Sequence, residues 1–270
     1  MQTVAKNYAA QVVSDLQKGF IIKAAQYFSD INLFKDENRL IIFKHLPQSI
    51  QESTLFNVPD SGKILGAMKD DYFPPVLDDE KMKLPFNRIS LMFDDNNGKT
   101  KHLVHAIQDD KEIKIFTFFN PSNVGWSICP KFMKVRGEMC CQTLLFPLKK
   151  EYEEKEDTLE VFLNHALRSV LELLEALSCK NIMIDSAKTP KLGNRGIENR
   201  GIPFYESKVL TIKVNEKQST GTKTGTHESP RQHLRRGHIR RLEAGNIWVN
   251  ACVVGDSSKG VIKKSYNVVA

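Results

Sequence analysis

Three short runs with the composition of β-strands, separated by turn sequences, constrain the fold of this chain most strongly. They lie at 88–94 (RISLMFD), 102–107 (HLVHAI) and 112–119 (EIKIFTFF), with DNNGKT and QDDK between them. The runs are rich in apolar, β-branched and aromatic residues, and Asp, Asn and Gly favour turns. Because connections this short cannot hold a helical crossover, they predict an antiparallel meander. VGWSIC at 124–129 and QTLLFPL at 142–148 could extend it.

Two stretches have the apolar spacing of helices. Residues 4–28 form a wide apolar stripe that Gly19 breaks or bends, and 157–178 form a longer, clearly patterned helix. His165 and Arg168 fall off the stripe of this longer helix, so we expect them to face solvent. The sequence shows no alternation of strands and helices. It therefore predicts an α+β fold, mostly antiparallel sheets with an N-terminal helix and one long central helix.

Two histidines lie within one predicted strand. His102 and His105 are three positions apart, an odd spacing that directs them to opposite faces of a sheet. Histidine is commonly half-buried in folded proteins, so we expect both residues to be structural.

Positive charge is concentrated in the last third of the chain. The 270 residues carry a net charge of +7, but 188–270 alone hold 16 Lys and Arg against 6 Asp and Glu. Such asymmetry indicates nucleic acid, another polyanion or an acidic partner surface. We divide the chain into 1–187, a mixed region of helix, antiparallel meander and long helix, and 188–270, a basic β-meander region. The second region either stands alone or packs into the same domain.

The basic segment, 227–241 (HESPRQHLRRGHIRR), holds five arginines and three of the seven histidines. A guanidinium is always charged and its planar fork of donors suits phosphate, so this density predicts an anion-binding surface. A loop at 216–229 without apolar residues precedes it, and we expect this loop to order on a ligand. Strand-like runs at 246–254 and 261–269 follow, with the turn sequence GDSSKG at 255–260 between them. The arginines are therefore expected to be held on a sheet.

Alternation selects a smaller face within the basic segment. If the chain is extended there, Arg236, His238 and Arg240 lie in one row. If it is helical, Arg236 and Arg240 still share a face at a spacing of four, although Gly237 argues against a helix. Either conformation predicts a basic strip.

Two aromatic residues follow on the next predicted strands. Trp248 and Tyr266 would offer stacking surfaces beside the basic strip, as aromatics interleaved with arginine do in single-stranded nucleic-acid sites. Core packing is the competing interpretation for both rings. The residues predicted to bind phosphate or nucleic acid are Arg231, Arg235, Arg236, Arg240, Arg241, Trp248 and Tyr266.

Histidine beside arginine is the combination that metal-independent RNA cleavage needs. Such an enzyme uses an acid–base group, usually His, and cations that stabilise the charge developing on phosphorus. His233 and His238 are the candidate catalytic residues. A metallonuclease needs clustered carboxylates, which are sparse here, and the spacing of the histidines matches no zinc finger. We predict no metal and no cofactor, and the motifs of NTPases, serine hydrolases, zinc proteases and dinucleotide enzymes are absent from the sequence.

Nothing in the sequence predicts export or membrane insertion. The opening residues lack the pattern of a signal peptide, and no apolar run reaches the roughly 18 residues of a membrane span. The five cysteines, which include the adjacent pair Cys140 and Cys141, form no disulfide framework and no CxxC pair. This favours reduced thiols. We therefore expect a cytoplasmic protein without a membrane partner, of an oligomeric state that the sequence does not indicate.

Three segments carry a resemblance to a known family. They are LPFNRISLMF at 84–93, GIPFYESKVLTI at 201–212, and the stretch at 229–268 with its SPRxHxRRGHxRR core followed by WVN and VG. Over roughly the second two-thirds of the chain they resemble an uncharacterised family from tailed bacteriophages and prophages. The resemblance implies a phage product that works in a bacterial cytoplasm, and it assigns no catalytic residue. The residues before Leu84 match nothing comparable.

Three classes of function fit these observations. The first is an RNA or DNA binder, with RNA favoured, or a metal-independent ribonuclease of the small antiparallel-sheet type. The second is a non-enzymatic inhibitor of a host bacterial defence system, in which the basic strip docks an acidic surface of a host protein. The third is a structural arginine network paired with acids of the N-terminal region. The first class is our leading prediction because it uses the clustered charge directly.

Overall fold

The structure of the protein, a computed structural model, divides into two compact units. The first comprises Met1–Ile64, Phe73–Glu175 and Ile184–Leu210, and the second comprises Leu65–Tyr72, Ala176–Met183 and Thr211–Ala270. The structure describes residues 5–64, 83–95, 98–110, 112–122, 124–136, 139–153, 156–188, 205–212, 231–235, 238–249, 252–254 and 256–261. Only the backbone is described at 60, 153, 156–158, 212, 231–235, 238, 252–254, 256, 257 and 259–261.

Three helices precede most of the sheet. The single apolar stripe that the sequence predicts forms two of them, α1 (Tyr8–Gln17) and α2 (Phe20–Phe28). Gly19 separates them in a left-handed conformation with φ of +73°, which a residue without a Cβ adopts without steric cost. The third, α3 (Glu37–Gln51), is not predicted from the sequence. Its N-cap Asp36 accepts a hydrogen bond from the main-chain N–H three residues later, at 3.1 Å.

A large mixed sheet lies behind these helices. In the described residues its strands are β1 (Thr54–Asn57), β2 (Arg88–Asp94), β3 (Thr100–Asp109), β4 (Glu112–Pro121), β5 (Ser127–Ile128), β6 (Lys131–Arg136), β7 (Met139–Leu144), β8 (Ile182–Ser186) and β9 (Ser207–Ile212). Their order is β7-β6-β4-β3-β2-β1-β9-β8, with β5 beside β4. The pairs from β2 to β7 are antiparallel, whereas β1 is parallel to both β2 and β9. The prediction of an α+β fold with mostly antiparallel sheet is confirmed at this level.

Helices cover both faces of the sheet in the first unit. On one face, His105 of β3 contacts Ser49 of α3, and on the other face, His102 of the same strand lies against Phe162 of α5 (Glu156–Leu177). The predicted placement of the two histidines on opposite faces is confirmed. Burying one large apolar side chain contributes about 1.5–3 kcal/mol. The largest of these in the first unit are Phe43, Phe56, Phe93, Phe118 and Phe146.

The second unit contains five short strands from the basic end of the chain. They are β10 (Arg231–Arg235), β11 (His238–Arg240), β12 (Ile247–Val249), β13 (Cys252–Val254) and β14 (Asp256–Val261). β10 lies between β13, to which it is antiparallel, and β14, to which it is parallel, while β11 and β12 pair antiparallel. A simple meander is therefore not what these strands form, because β14 passes β13 to reach the other side of β10.

Two sequence predictions in this part of the chain need comment. The predicted turn GDSSKG at 255–260 is wrong, since Asp256–Val261 is a strand. Only Asp256 and Val261 of this strand pair with β10, opposite Arg231 and Gln232, so the register is interrupted between the two pairs. Of the predicted strand at 261–269, only Val261 lies in β14, and the other residues fall outside the described part of the chain.

A short helix, α4 (Lys150–Glu153), connects β7 to α5. None of the described helices combines the length and the apolar composition that crossing a membrane requires.

Candidate nucleic-acid interface

The basic hairpin, formed by β11 and β12, carries the last two arginines of the basic segment. In its antiparallel register Ile239 lies opposite Trp248, and Arg240 lies opposite Ile247. The backbone is extended at both ends of the predicted stretch, but it is not one continuous strand. β10 ends at Arg235 in a three-stranded sheet, and β11 begins at position 238 in a two-stranded sheet. Of the predicted row of Arg236, His238 and Arg240, the last two lie in β11, and Arg236 lies outside the described residues.

Hydrogen bonds anchor the basic hairpin to the turn that follows α5. The side-chain amide of Asn181 donates to the Trp248 carbonyl at 2.7 Å and accepts from the Trp248 N–H at 2.8 Å. The main-chain N–H of Lys180 donates to the Asn246 carbonyl at 3.0 Å, and the Asn246 amide donates to Ser178 Oγ at 3.1 Å. Asn181 satisfies both main-chain groups of one residue, as a neighbouring strand would. The hairpin is therefore held in place within the second unit.

Exposed cations lie at the basic hairpin and its turn. The side chains of Arg240, Arg241 and Lys180 are exposed, and the acid in the turn, Glu243, is exposed as well. Lys180 packs against Gly245, where an added Cβ would lie 2.5 Å from its Cε and 3.1 Å from its Nζ. Gly245 has a φ of +115°, so the close approach and the backbone conformation both require glycine. The turn thus brings a lysine ammonium to the hairpin that carries the two guanidiniums.

The register separates Trp248 from Arg240. Directly opposed residues of an antiparallel pair lie on the same face, so Trp248 shares a face with Ile239, and Arg240 shares the other face with Ile247. Trp248 is half-buried. The sequence predicts that this indole lies beside the basic strip, but the structure does not place it beside the Arg240 guanidinium. It places the two side chains on opposite faces of one hairpin.

The other predicted site residues are described only in part. Arg231, His233 and Arg235 occupy alternate positions of β10, with His233 paired to Val254 and Arg235 to Cys252 in the antiparallel register. The side chains of these three residues and of His238 are not described. Arg236 and Tyr266 lie outside the described residues. The geometry of the predicted catalytic histidines, His233 and His238, therefore stays a prediction.

His105 of the first unit is fully buried in a polar network that the sequence does not reveal. Its Nε2 is hydrogen-bonded to Ser49 Oγ at 2.9 Å and its Nδ1 to Ser90 Oγ at 2.8 Å. Ser90 Oγ also lies 2.8 Å from Ser53 Oγ. Burial lowers the pKa of His105 from 6.5 to about 3, so the ring is neutral at physiological pH. With both nitrogens satisfied and no exposed edge, His105 joins α3 to the sheet.

His102 and His165 form a second buried cluster, on the other face of the sheet. His102 stacks on Phe93 with ring centroids 5.0 Å apart, and its pKa is lowered to about 4, first by burial and second by His165. His165 donates through Nε2 to the carbonyl of Ser61, and burial is again the main cause of its lowered pKa. The prediction that His165 faces solvent is therefore wrong, because the segment around Ser61 packs over it.

Arg168 is likewise not solvent-facing. Its side chain is 13% exposed, and its Nε donates to the carboxylate of Glu172 at 2.9 Å. Glu172 is 1% exposed, so the arginine pairs with a buried carboxylate. The off-stripe positions of α5 are thus used for buried polar pairing, which apolar periodicity cannot predict.

Two further comparisons, for metal-binding groups among the described residues and for similar proteins, gave no match. In the ranges that the structure describes, no group of three or more His, Cys, Asp and Glu side chains could hold a metal ion. No protein-family model, no curated protein and no solved structure matches the chain.

Proposed function

We propose that this protein binds nucleic acid, with RNA the favoured polymer, through the basic hairpin and the basic segment that leads into it. The observation that supports the proposal best is an anchored hairpin with exposed Arg240 and Arg241, bordered at its turn by the exposed Lys180. Arginines on an anchored backbone lose less conformational freedom on meeting a phosphate than arginines on a free tail. The hairpin therefore suits a polyanion better than an ordinary solvated surface does.

The proposed contact is with the phosphate backbone. Phosphates dominate the affinity of nucleic-acid binding, and each one neutralised by Lys or Arg releases condensed counterions. Three exposed cations around one hairpin, with one exposed acid among them, have the composition for two or three such contacts. Because Trp248 lies on the other face from Arg240, base stacking on the indole is not part of the proposal.

The proposed setting is the cytoplasm of a bacterial host. The resemblance of the basic segment to a tailed-phage family supports this setting, since a phage product meets host and phage nucleic acids there. RNA is favoured because His233 and His238 accompany the arginines in the sequence, and histidine is the usual acid–base group in metal-independent RNA cleavage.

The salt dependence of binding tests the proposal. Affinity for a fluorescent single-stranded RNA should fall steeply with salt, and Arg240→Ala should lower the slope of log K against log salt by about 0.7 to 1. Arg136→Ala is the matched control, because Arg136 is also an exposed arginine at the end of a strand but belongs to the first unit. Weak salt dependence, or equal slopes for the Arg240 variant and the unaltered protein, would contradict phosphate contact at this hairpin.

An RNA-cleavage assay tests whether the protein also cleaves the RNA that it binds. If His233 and His238 form an acid–base pair, the protein cleaves RNA in EDTA, and His233→Ala and His238→Ala each abolish cleavage while leaving RNA bound. Cleavage that survives both changes would exclude this catalytic pair. If RNA is not bound at all and a host protein co-purifies in a fixed ratio, the inhibitor function replaces nucleic-acid binding.

A further inference from the structure

β7 is the outermost strand at one end of the large sheet, in the described part of the chain. It pairs only with β6 in the sheet order, from Arg136 opposite Met139 to Lys131 opposite Leu144. Five of its six side chains are exposed, with Met139 69% and Leu144 54% accessible. Successive residues of a strand point to opposite faces, so both faces of β7 are uncovered.

This edge lacks the features that usually prevent strands from pairing between molecules. Natural edge strands carry charged side chains, proline or a bulge, because an open row of N–H and C=O groups is a template for another strand. The sequence of β7, MCCQTL, contains neither a charge nor a proline, and its register with β6 is continuous. The strand at the other end of the sheet order, β8, differs because it contains Asp185.

We propose that β7 is a dimer interface, at which two copies of this chain pair antiparallel through the same strand. The backbone of β7 specifies that the occupant is an extended strand, and its side chains specify that the occupant is neutral. β7 itself carries no charged side chain, so the approach of a second copy brings no like charges of this strand together. A two-fold contact of β7 with β7 also covers both open edges at once, so that the assembly closes as a dimer.

The two-fold axis of such a dimer has a defined direction relative to the sheet. A two-fold axis between antiparallel strands is perpendicular to the sheet, so each residue lies on the same face as its own copy. If the pairing is centred on β7, the axis lies midway between Cys141 and its copy or between Gln142 and its copy. Strand spacing and rise then put each of these residues within about 9 Å of its copy, and Cys140 no closer than Cys141. Cys140 and Cys141 are both exposed free thiols, so the chain carries its own reporters of the contact.

Complementary charges at Gln142 test the proposal. The unaltered protein should have about twice the monomer mass of 30.7 kDa in light scattering after size exclusion. Gln142→Lys alone and Gln142→Glu alone should each be monomeric, because like charges meet near the axis, and an equimolar mixture of the two variants should regain the dimer mass. Recovery in the mixture shows that both variants are folded. Ile184→Lys, at an exposed apolar position of the opposite edge strand, should leave the dimer intact.

Cross-linking gives an independent readout. With a short bismaleimide, and with Cys252 replaced by serine throughout, the Cys140→Ser variant, which keeps Cys141, should cross-link between copies at least as fast as the Cys141→Ser variant. The variant that lacks both Cys140 and Cys141 should not cross-link, because the remaining Cys129 and Cys179 are buried. A monomeric mass for the unaltered protein at every soluble concentration would overturn the proposal. So would a dimer that both charged Gln142 variants retain, since the interface would then lie elsewhere.

Discussion

At the scale of single residues, the three buried histidines show how position decides chemistry. His233 and His238 were chosen as candidate catalytic residues because arginines surround them in the sequence. His102, His105 and His165 have pKa values that burial lowers, but His102 and His105 are buried within the first unit and His165 is half-buried there under the carbonyl of Ser61. A shifted pKa indicates a functional site only where the group also has access to a ligand. These histidines therefore matter for stability.

The buried His102 predicts a loss of stability in mild acid. Its pKa falls from 6.5 to about 4 on folding, so above pH 6.5 the folded and unfolded chains both hold it neutral. Between pH 6.5 and 4 only the unfolded chain takes up the proton, which lowers the free energy of unfolding by about 1.4 kcal/mol per pH unit within that window. His102→Phe should make this part of the profile less steep by about 1.4 kcal/mol per pH unit in urea unfolding measured from pH 7 to 4.5, while the contribution of His105 remains.

His45 provides the control for that prediction, because its side chain is exposed on α3. His45→Gln should leave the profile as it is in the unaltered protein. An equal slope for His102→Phe and the unaltered protein would show that His102 is not the group that resists protonation.

At the scale of elements, local patterns predict the structure well and distant contacts do not. β2, β3 and β4 follow from their apolar, β-branched and aromatic composition and from the turn sequences between them, because each pairs with its neighbour along the chain. β6 was missed, since Lys131, Lys134 and Arg136 break its apolar pattern. In the candidate site, the extended backbone at Arg240 was predicted, but its anchoring by Asn181 was not. The two hydrogen bonds of Asn181 join positions 67 residues apart, and no local rule indicates such a pair.

Removing the Asn181 amide should loosen the basic hairpin while leaving the first unit folded. Asn181→Ala deletes two hydrogen bonds to the main chain of Trp248, at a cost of about 1–3 kcal/mol for the hairpin. Hydrogen exchange at the Trp248 amide should accelerate accordingly, and RNA affinity should weaken because the guanidiniums lose their fixed placement. Ser178→Ala removes the exposed hydrogen bond from Asn246 but leaves both Asn181 bonds to Trp248 in place, so it should have a smaller effect on exchange. Unchanged protection at Trp248 in Asn181→Ala would show that strand pairing alone holds the hairpin.

At the scale of the whole molecule, the strand β1 pairs with strands from an early and a late part of the chain. β1 lies between β2 and β9 and is parallel to both, so it is the point at which the antiparallel part of the sheet meets a later part of the chain. Asn57 at its end accepts from the Lys6 N–H at 3.2 Å and donates to Ser207 Oγ at 2.8 Å. The sequence predicts neither β1 nor its pairing, because parallel partners are distant in sequence and β1 is only four residues long.

Asn57 should therefore matter more for stability than a buried asparagine with a local role. Asn57→Ala leaves two polar partners from distant parts of the chain unsatisfied, and should lower the free energy of unfolding by about 2–4 kcal/mol. Asn120→Ala is the comparison, since Asn120 is also buried, and in the described residues its side chain accepts from the N–H of Gly125, five residues away, at 3.1 Å. It should cost about 1 kcal/mol. Equal losses in urea unfolding would mean that the β1–β9 junction adds nothing beyond one ordinary hydrogen bond.

The place of β1 also has a consequence for synthesis on the ribosome. Asn57 and Ser207 are 150 residues apart, so β1 leaves the exit tunnel long before β9 has been translated. Until then its outer edge has no strand to pair with, although β2 to β4 can already form. Domains generally fold as units during translation, and exposed edges at that stage promote aggregation. We therefore expect the nascent chain to be most prone to aggregation, and most dependent on chaperones, between the emergence of β4 and that of β9.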